Sequence, residues 1–415
     1  MATTSPTDIR FLSLDLIRGV GVMGILLMNI VAFGMPFQAY SNPMAYGGSS
    51  PLDLAVWATN FVLVDSKMRG LFSVLFGASM LLVVERAEVK GENPALTHYS
   101  RMTWLLLFGA VHAWAIWFGD ILMLYAVTGM IAFFLRGLSA HKLVVLGLIL
   151  MFVQAVFMGL LGLSIWFLRE AATAPGADGA LVEQWQAMQT QFGALPPDEL
   201  ARDLALFRSG YLTILSERLG PLFWWPIKGN FPFIPETLGL MLIGMAGYKS
   251  GFLTGQWERA AYLRFVRIGY LIGLPLLGAL AIWLMMNGFD PVAMVLVNFS
   301  VQHLVNPLVI LAHASLIIYW LQSDAGSALV QRIAATGRAA FSNYLGTSIV
   351  CTTIFYGYGF GLYGELSRAA LYLVVLGVWI LMLLWSKPWL DRFRYGPLEW
   401  LWRSLARRRI QPLRK

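Results

Sequence analysis

Apolar runs of about 20 residues, the length that spans ~30 Å of hydrocarbon as a helix, recur from Phe11 to Trp385. Between them lies no polar stretch long enough for a soluble domain of ordinary size. Only 13% of the 415 residues are charged and 58% are hydrophobic, whereas a soluble domain carries roughly 25% charged residues. Lipid must therefore solvate most of the surface. The pattern predicts an all-α polytopic membrane protein, one transmembrane domain over 1–415. Its spans are expected at Phe11–Phe33, Leu52–Val84, Thr103–Phe118, Ile121–Leu135, Leu143–Leu168, Phe233–Tyr248, Phe265–Met286, Val301–Leu321, Ala339–Tyr358 and Ala369–Trp385. Asp15 and Arg18 interrupt the first segment and no small-residue cleavage site follows Phe33, so it reads as a retained helix.

Charge sets the orientation. Of 30 Lys and Arg, 21 fall in connections on one side or in the basic tail 386–415, six fall on the other side, and three lie within spans. By the positive-inside rule, both ends face the cytoplasm of a bacterial inner membrane. The same placement explains the net charge of +8 without nucleic acid and leaves membrane lipids as the surrounding partner. Trp104, Trp117, Trp166, Trp224 and Trp385 read as interfacial belts. The one long outer segment, 169–232, repeats Leu200, Leu204, Phe207, Tyr211 and Leu215 at helical spacing, which predicts an amphipathic helix on the outer face. The glycines at 357–364 form an outer turn.

Leu52–Val84 is too long for one crossing: ~50 Å at 1.5 Å per residue. Asp65-Ser66-Lys67-Met68-Arg69-Gly70 offers the place to break it. Ionisable groups within spans cost several kcal/mol each and are functional candidates by default. Asp15 and Arg18 share a helix face at i, i+3, and Asp65 and Arg69 do so at i, i+4; each pair serves either function or packing alone. Lys67 has no partner within helical reach. His112 lies in the third span and Asp120 at the next turn, eight residues on, so they meet only if the turn folds back. His303 and His313 lie in the eighth span, and Glu236 opens the sixth. No metal-ligand spacing such as His-Glu-x-x-His occurs, so no metal is expected. The lone Cys351 excludes a disulfide framework.

Several blocks resemble the YeiB family of bacterial membrane proteins. They are Arg10-Phe-Leu-Ser13-Leu-Asp15-Leu-Ile-Arg18-Gly19 with Asn29, Lys67-Met-Arg69-Gly through Gly77, His112-Ala-Trp-Ala-Ile-Trp-Phe-Gly119-Asp120, Ser342-Asn343-Tyr344-Leu345, and Phe393-Arg394-Tyr-Gly396-Pro397-Leu398-Glu399-Trp400. The opening block is also similar to that of membrane acetyltransferases acting on heparan glucosamine, within a group that takes an acyl group from cytoplasmic acyl-CoA to an acceptor on the far side. This resemblance implies that Arg10, Asp15, Arg18 and Asn29 serve the donor, acetyl-CoA or another acyl-CoA. The histidine those acetyltransferases carry after the first span has no counterpart between Gly34 and Pro51.

The leading expectation is thus an acyltransferase with a glycan or small-molecule acceptor. His112 would be the base, assigned from this sequence itself, with Asp65, Lys67 and Arg69 supporting the chemistry and Lys67 or Arg69 facing the developing negative charge. The alternative is a transporter for an organic anion or lipid-linked substrate, for which the broken second span would supply the midplane site. A non-enzymatic scaffold with purely structural charged pairs is a third class. A homodimer is compatible with each.

Overall fold

A computed structural model describes residues 11–48 and 50–415; Arg10 lies outside the described residues. The chain is helical throughout, as the apolar periodicity requires. The first half holds α1 (Leu12–Gly34), α2 (Pro51–Leu63), α3 (Lys67–Val89), α4 (Pro94–Val111), α5 (Leu122–Ala132) and α6 (Ala140–Ala172). The segment 169–232 holds α7 (Gly179–Phe192), α8 (Pro197–Phe207), α9 (Tyr211–Leu219) and α10 (Trp225–Asn230). The second half holds α11 (Ile234–Lys249), α12 (Arg259–Met286), α13 (Pro291–Val295), α14 (Gln302–Asp324), α15 (Ala328–Arg338), α16 (Ala340–Phe355), α17 (Arg368–Arg392) and α18 (Pro397–Ala406). Helix starts follow local chemistry. Ser50, Asn93, Ser139, Ser327 and Ser367 each accept a backbone N–H from the first turn that follows, satisfying a donor the helix cannot.

Among the described residues, seven stretches are long and apolar enough to cross a membrane: Leu12–Gly34, Pro51–Val89, Ala140–Ala172, Trp225–Lys249, Arg259–Met286, Pro291–Asp324 and Arg368–Arg392. The helices alone therefore account for seven of the ten expected crossings. The expected spans 103–118, 121–135 and 339–358 fall on α4, on the shorter apolar stretch Leu122–Leu135, and on the 16-residue α16. The outer amphipathic helix is two helices, because Ser209-Gly210 interrupts it and Gly210 starts α9 in an extended conformation. The short amphipathic α15, not foreseen as a separate element, packs against α1.

Close packing rests on glycine. α11 is buried without a break from Glu236 to Ala246, so it needs neighbours on every side. A Cβ on Gly244 would fall 1.8 Å from the Val74 carbonyl oxygen, and one on Gly77 would fall 2.0 Å from that of Met241. Only a hydrogen lets α3 and α11 approach this closely, the small-residue contact typical of helices in lipid.

The expected break in the second span is real. α2 ends at Leu63, Ser66 takes φ 58, and α3 starts at Lys67. A non-glycine residue in the left-handed region interrupts the helix there. Backbone groups freed inside a membrane must find partners in the protein. Here the Lys67 ammonium donates to Phe61 O at 2.6 Å, His313 Nε2 sits 2.9 Å from Leu63 O, and Asn60 O accepts from Val64 N and Asp65 N. A cation on the last turn of α2 also faces the negative end of its dipole. Lys67 has a partner after all, on backbone that sequence spacing does not reveal.

Candidate active site

Among the described residues, two polar clusters hold the expected site residues of the second and third spans. The first surrounds the break. Arg69 does not pair with Asp65, as i, i+4 spacing suggested, because the break places Asp65 outside α3. Its Nη2 instead meets Glu236 at 2.6 Å, and the other oxygen of Glu236 lies 2.9 Å from His303 Nδ1. His303 Nε2 lies 3.0 Å from Asn298 O, in the π-helical turn Leu296–Val301. Glu236 and His303 are fully buried. Sequence reading named Glu236, Arg69 and His303 separately, without linking them.

The second cluster is a hydrogen-bonded line. α4 ends at Val111 and gives way to a π-helical turn, His112–Ile116, after which Trp117 is extended and returns its N–H to His112 O at 2.7 Å. The turn folds back as the pair required, and His112 Nδ1 lies 2.8 Å from Asp120 Oδ1. On the other side, His112 Nε2 lies 2.9 Å from Ser348 Oγ, on α16. Both the His112 and Asp120 side chains are 0% exposed. A carboxylate can only accept, so Nδ1 carries the proton and Nε2 accepts from the Ser348 hydroxyl. The second oxygen of Asp120 accepts Met123 N at 2.8 Å, which fixes the carboxylate at the start of α5. Base, orienting carboxylate and hydroxyl stand in the relationship that activates a nucleophile.

Ser348 carries no sequence signal. A serine in an apolar helix ordinarily bonds its own helix, and this one also lies 3.4 Å from Tyr344 O. Beside it is a small pocket with room for roughly one water molecule, bounded by Val22, Asn29, Phe33, Tyr344, Thr347 and Ser348. Asn29 is half-buried and its side chain makes no hydrogen bond to a described residue, so its amide is free to donate into that space. Arg18, Val22, Ile25 and Asn29 recur at i, i+4, i+7 and i+11, one face of α1. The stripe runs ~16 Å at 1.5 Å per residue, from Arg18 to the pocket.

At the other end of the stripe, Arg18 donates to Asp15 at 3.2 Å and to Ser79 Oγ at 2.7 Å. More cations gather there. Arg101 stacks on Trp402 at 4.3 Å, Arg403 on Tyr395 at 4.4 Å, and Arg407 lies 3.9 Å from Glu92. Arg101 has Arg403, Arg407 and Arg18 as charged neighbours. Burial first, and Arg407 and Arg86 beside it, push the Arg403 guanidinium down from its ordinary value. Among the described residues, neither Arg101 nor Arg403 has a carboxylate in ion-pair range. α18 is held in place by Glu399, whose carboxylate accepts Phe341 N at 2.7 Å and Ser342 N at 3.1 Å at the start of α16. A carboxylate at a helix N-terminus also suits its dipole.

From the segment 169–232, α9 and α10 grip the same turn that carries His112. Tyr211 donates to Ala115 O, Arg218 to Ile116 O, and Asn230 to Asp120 O, at 2.8–2.9 Å. Trp117 is not interfacial, as its aromatic character suggested. It is 2% exposed, stacked on Phe33 at 4.0 Å and 5.4 Å from Phe118.

Of the residues expected to act together, the structure joins His112 to Asp120 and Asp15 to Arg18, and it aligns Arg18 with Asn29. Lys67 and Arg69 belong to the other cluster, on Phe61 O and Glu236.

Comparison with known proteins adds the family. A family described as "Protein of unknown function (DUF418)" matches residues 247–409. The uncharacterized protein YeiB of Escherichia coli is 33% identical over 412 residues, covering 97% of this chain and 98% of the relative. The uncharacterized protein YxaH of Bacillus subtilis is 31% identical over 424 residues, covering 100% of this chain and 99% of the relative. The likeness read from the motif blocks is borne out along the whole chain.

Proposed function

We propose that this chain, which belongs to the YeiB-like DUF418 family, is a membrane-embedded acyltransferase that moves an acyl group from cytoplasmic acyl-CoA to an acceptor reached from the outer face. The observation that carries the reading is the buried line Ser348–His112–Asp120, with 2.9 Å and 2.8 Å contacts. It lies beside a pocket that shares a helix face with Arg18. In this reading the chain crosses the inner membrane ten times with both ends in the cytoplasm, which the excess of Lys and Arg on one side supports, so that Arg18 and α18 lie on the donor side and His112 and Asp120 toward the acceptor side.

In this mechanism Ser348 Oγ attacks the thioester carbonyl while His112 Nε2 takes its proton. Asp120 holds the imidazole in the required tautomer and stabilises the imidazolium. The Asn29 amide faces the oxyanion of the tetrahedral intermediate. Its collapse breaks the carbon–sulfur bond, and His112 returns the proton to the departing thiolate. An acceptor hydroxyl then attacks the Ser348 ester. His112 takes its proton and gives it back to Ser348, so the enzyme ends as it began. Arg101 and Arg403, stacked on aromatic rings with their N–H forks unpaired by carboxylate, suit the phosphates of the donor. The site is full in its apolar parts, so a donor must part α1 from α16 to enter.

The transporter reading draws on the charged break between α2 and α3. Lys67 and His313 there close backbone carbonyls of the broken helix, a sufficient structural reason for their presence. The two readings part on one assay: purified protein with acetyl-CoA and a thiol reagent. The acyltransferase releases free CoA thiol, and the His112→Ala variant releases none above the uncatalysed rate. Equal thiol release from the variant counts against this site.

A further inference from the structure

Arg218 is a buried charge outside the line of Ser348, His112 and Asp120. It is 4% exposed, yet no carboxylate pairs with it among the described residues. Its Nη1 donates to Ile116 O at 2.8 Å, and its guanidinium lies 5.7 Å from the Tyr356 ring centre. Its Nη2 makes no hydrogen bond of good geometry among the described residues, and the Tyr356 hydroxyl beside it is likewise unpartnered. Asp203, which also neighbours Tyr356, is taken by the Tyr363 hydroxyl at 3.0 Å. A buried cation without a counter-ion is strongly disfavoured unless a partner arrives.

The same residue lines a second pocket, open toward the outer helices and bounded by Ala113, Phe118, Phe207, Trp225 and Pro226. Ala113 follows His112 directly, and Trp117, beside Phe118, stacks on Phe33 of the inner pocket. The outer pocket is thus one aromatic ring from the candidate chemistry. As it stands it has room for roughly one water, so a carboxylate or phosphate enters only as the side chains lining it move apart.

We propose that this pocket selects an anionic acceptor, binding its carboxylate or phosphate on the free Nη2 edge of Arg218. The inference rests on the acyl-transfer reading for the word acceptor, but not for the binding itself. A planar guanidinium with one edge anchored on Ile116 O presents the other in fixed direction, which favours a planar or tetrahedral anion over a neutral group.

The test is direct binding without turnover, read from tryptophan fluorescence, since Trp114 and Trp225 line the pocket. Purified full-length protein is titrated with acetate, inorganic phosphate and neutral acetamide. A saturable change with acetate or phosphate and none with acetamide is expected, and which anion binds more tightly identifies the head group. Arg218→Gln should weaken binding at least tenfold. Arg218→Lys keeps a donor for Ile116 O and so tests binding even where the glutamine variant does not fold; its anion affinity should also fall, by less. Wild-type protein that responds to neither anion overturns the proposal, as does unchanged affinity in the lysine variant. Because acyl-CoA is absent, failed acyl transfer with intact anion binding would refute the catalytic reading alone.

Discussion

His112 and Ser348 stand 236 positions apart in the chain and 2.9 Å apart in the structure. The contact joins the π-helical turn after α4 to the middle of α16. It also completes a line whose other end, Asp120, is fixed by a backbone N–H. The imidazole is therefore held from both sides before any substrate arrives, the pre-organisation a general base needs.

Asp120→Asn should separate binding from chemistry. The amide can donate to Nδ1 and so favours the wrong tautomer, for which a loss of about 10⁴ in turnover is the precedent in serine hydrolases. Donor affinity should stay within twofold, since Asp120 is remote from the arginines. The measurement is acceptor-dependent CoA release beside acyl-CoA binding; parallel loss of both would indicate a misfolded turn instead.

Arg18→Ala and Arg101→Gln should each weaken acyl-CoA binding about tenfold, because charge-assisted hydrogen bonds contribute ~1.5–3 kcal/mol. The wild-type affinity should fall as salt rises, as expected for a site open to the cytoplasm. Asp15→Asn releases Arg18 from its 3.2 Å contact and should resemble Arg18→Ala in milder form. Binding that ignores both salt and substitution would remove the arginines from the donor site.

Glu399 gives the C-terminal helix a pH dependence. Burial raises its carboxyl above the usual range, although Ser342 Oγ and the backbone N–H groups of Ser342 and Phe341 pull it down. A carboxyl raised on folding contributes stability that is fully present below its unfolded value, ~4.3. That contribution is lost as pH rises through the folded value. Hydrogen-exchange protection of α18 should therefore be greatest in mild acid and decline as pH climbs out of the carboxylate range. Glu399→Gln should flatten the profile, and an unchanged slope in that variant would assign it elsewhere.

Gly244→Ala should destabilise the fold by at least ~1–3 kcal/mol, the range for overpacking a core. Its Cβ would meet backbone, Val74 O, which cannot turn away. Gly278→Ala on α12 has nothing within 4 Å of its Cβ and should be neutral or stabilising by up to ~1 kcal/mol from helix propensity. Thermal unfolding in detergent compares the two. Equal melting temperatures would contradict the tight α3–α11 packing.

Much of this was legible in the sequence where the cause is local. The break near Ser66 follows from a stretch too long for the bilayer and from polar residues at its centre. The Asp15–Arg18 pair follows from helical spacing. What stayed hidden depends on partners far along the chain. Arg69 meets Glu236 across 167 positions, and an i, i+4 rule could offer it only Asp65. Ser348 looks like any serine on an apolar helix until α4 arrives beside it. The reversal that brings Asp120 to His112 needs a π-helical turn, whose extra residue has no sequence mark here.

The central claim is most directly tested by the covalent state of Ser348. Purified protein is incubated with acetyl-CoA in the absence of acceptor, quenched in acid, digested and read by mass spectrometry. The account predicts one acetyl group on the peptide containing Ser348 in the wild type, removed when acceptor is added, and no such group in the Ser348→Ala and His112→Ala variants. Acceptor-dependent transfer at the wild-type rate by Ser348→Ala, with no acetylated peptide at any time, would contradict it.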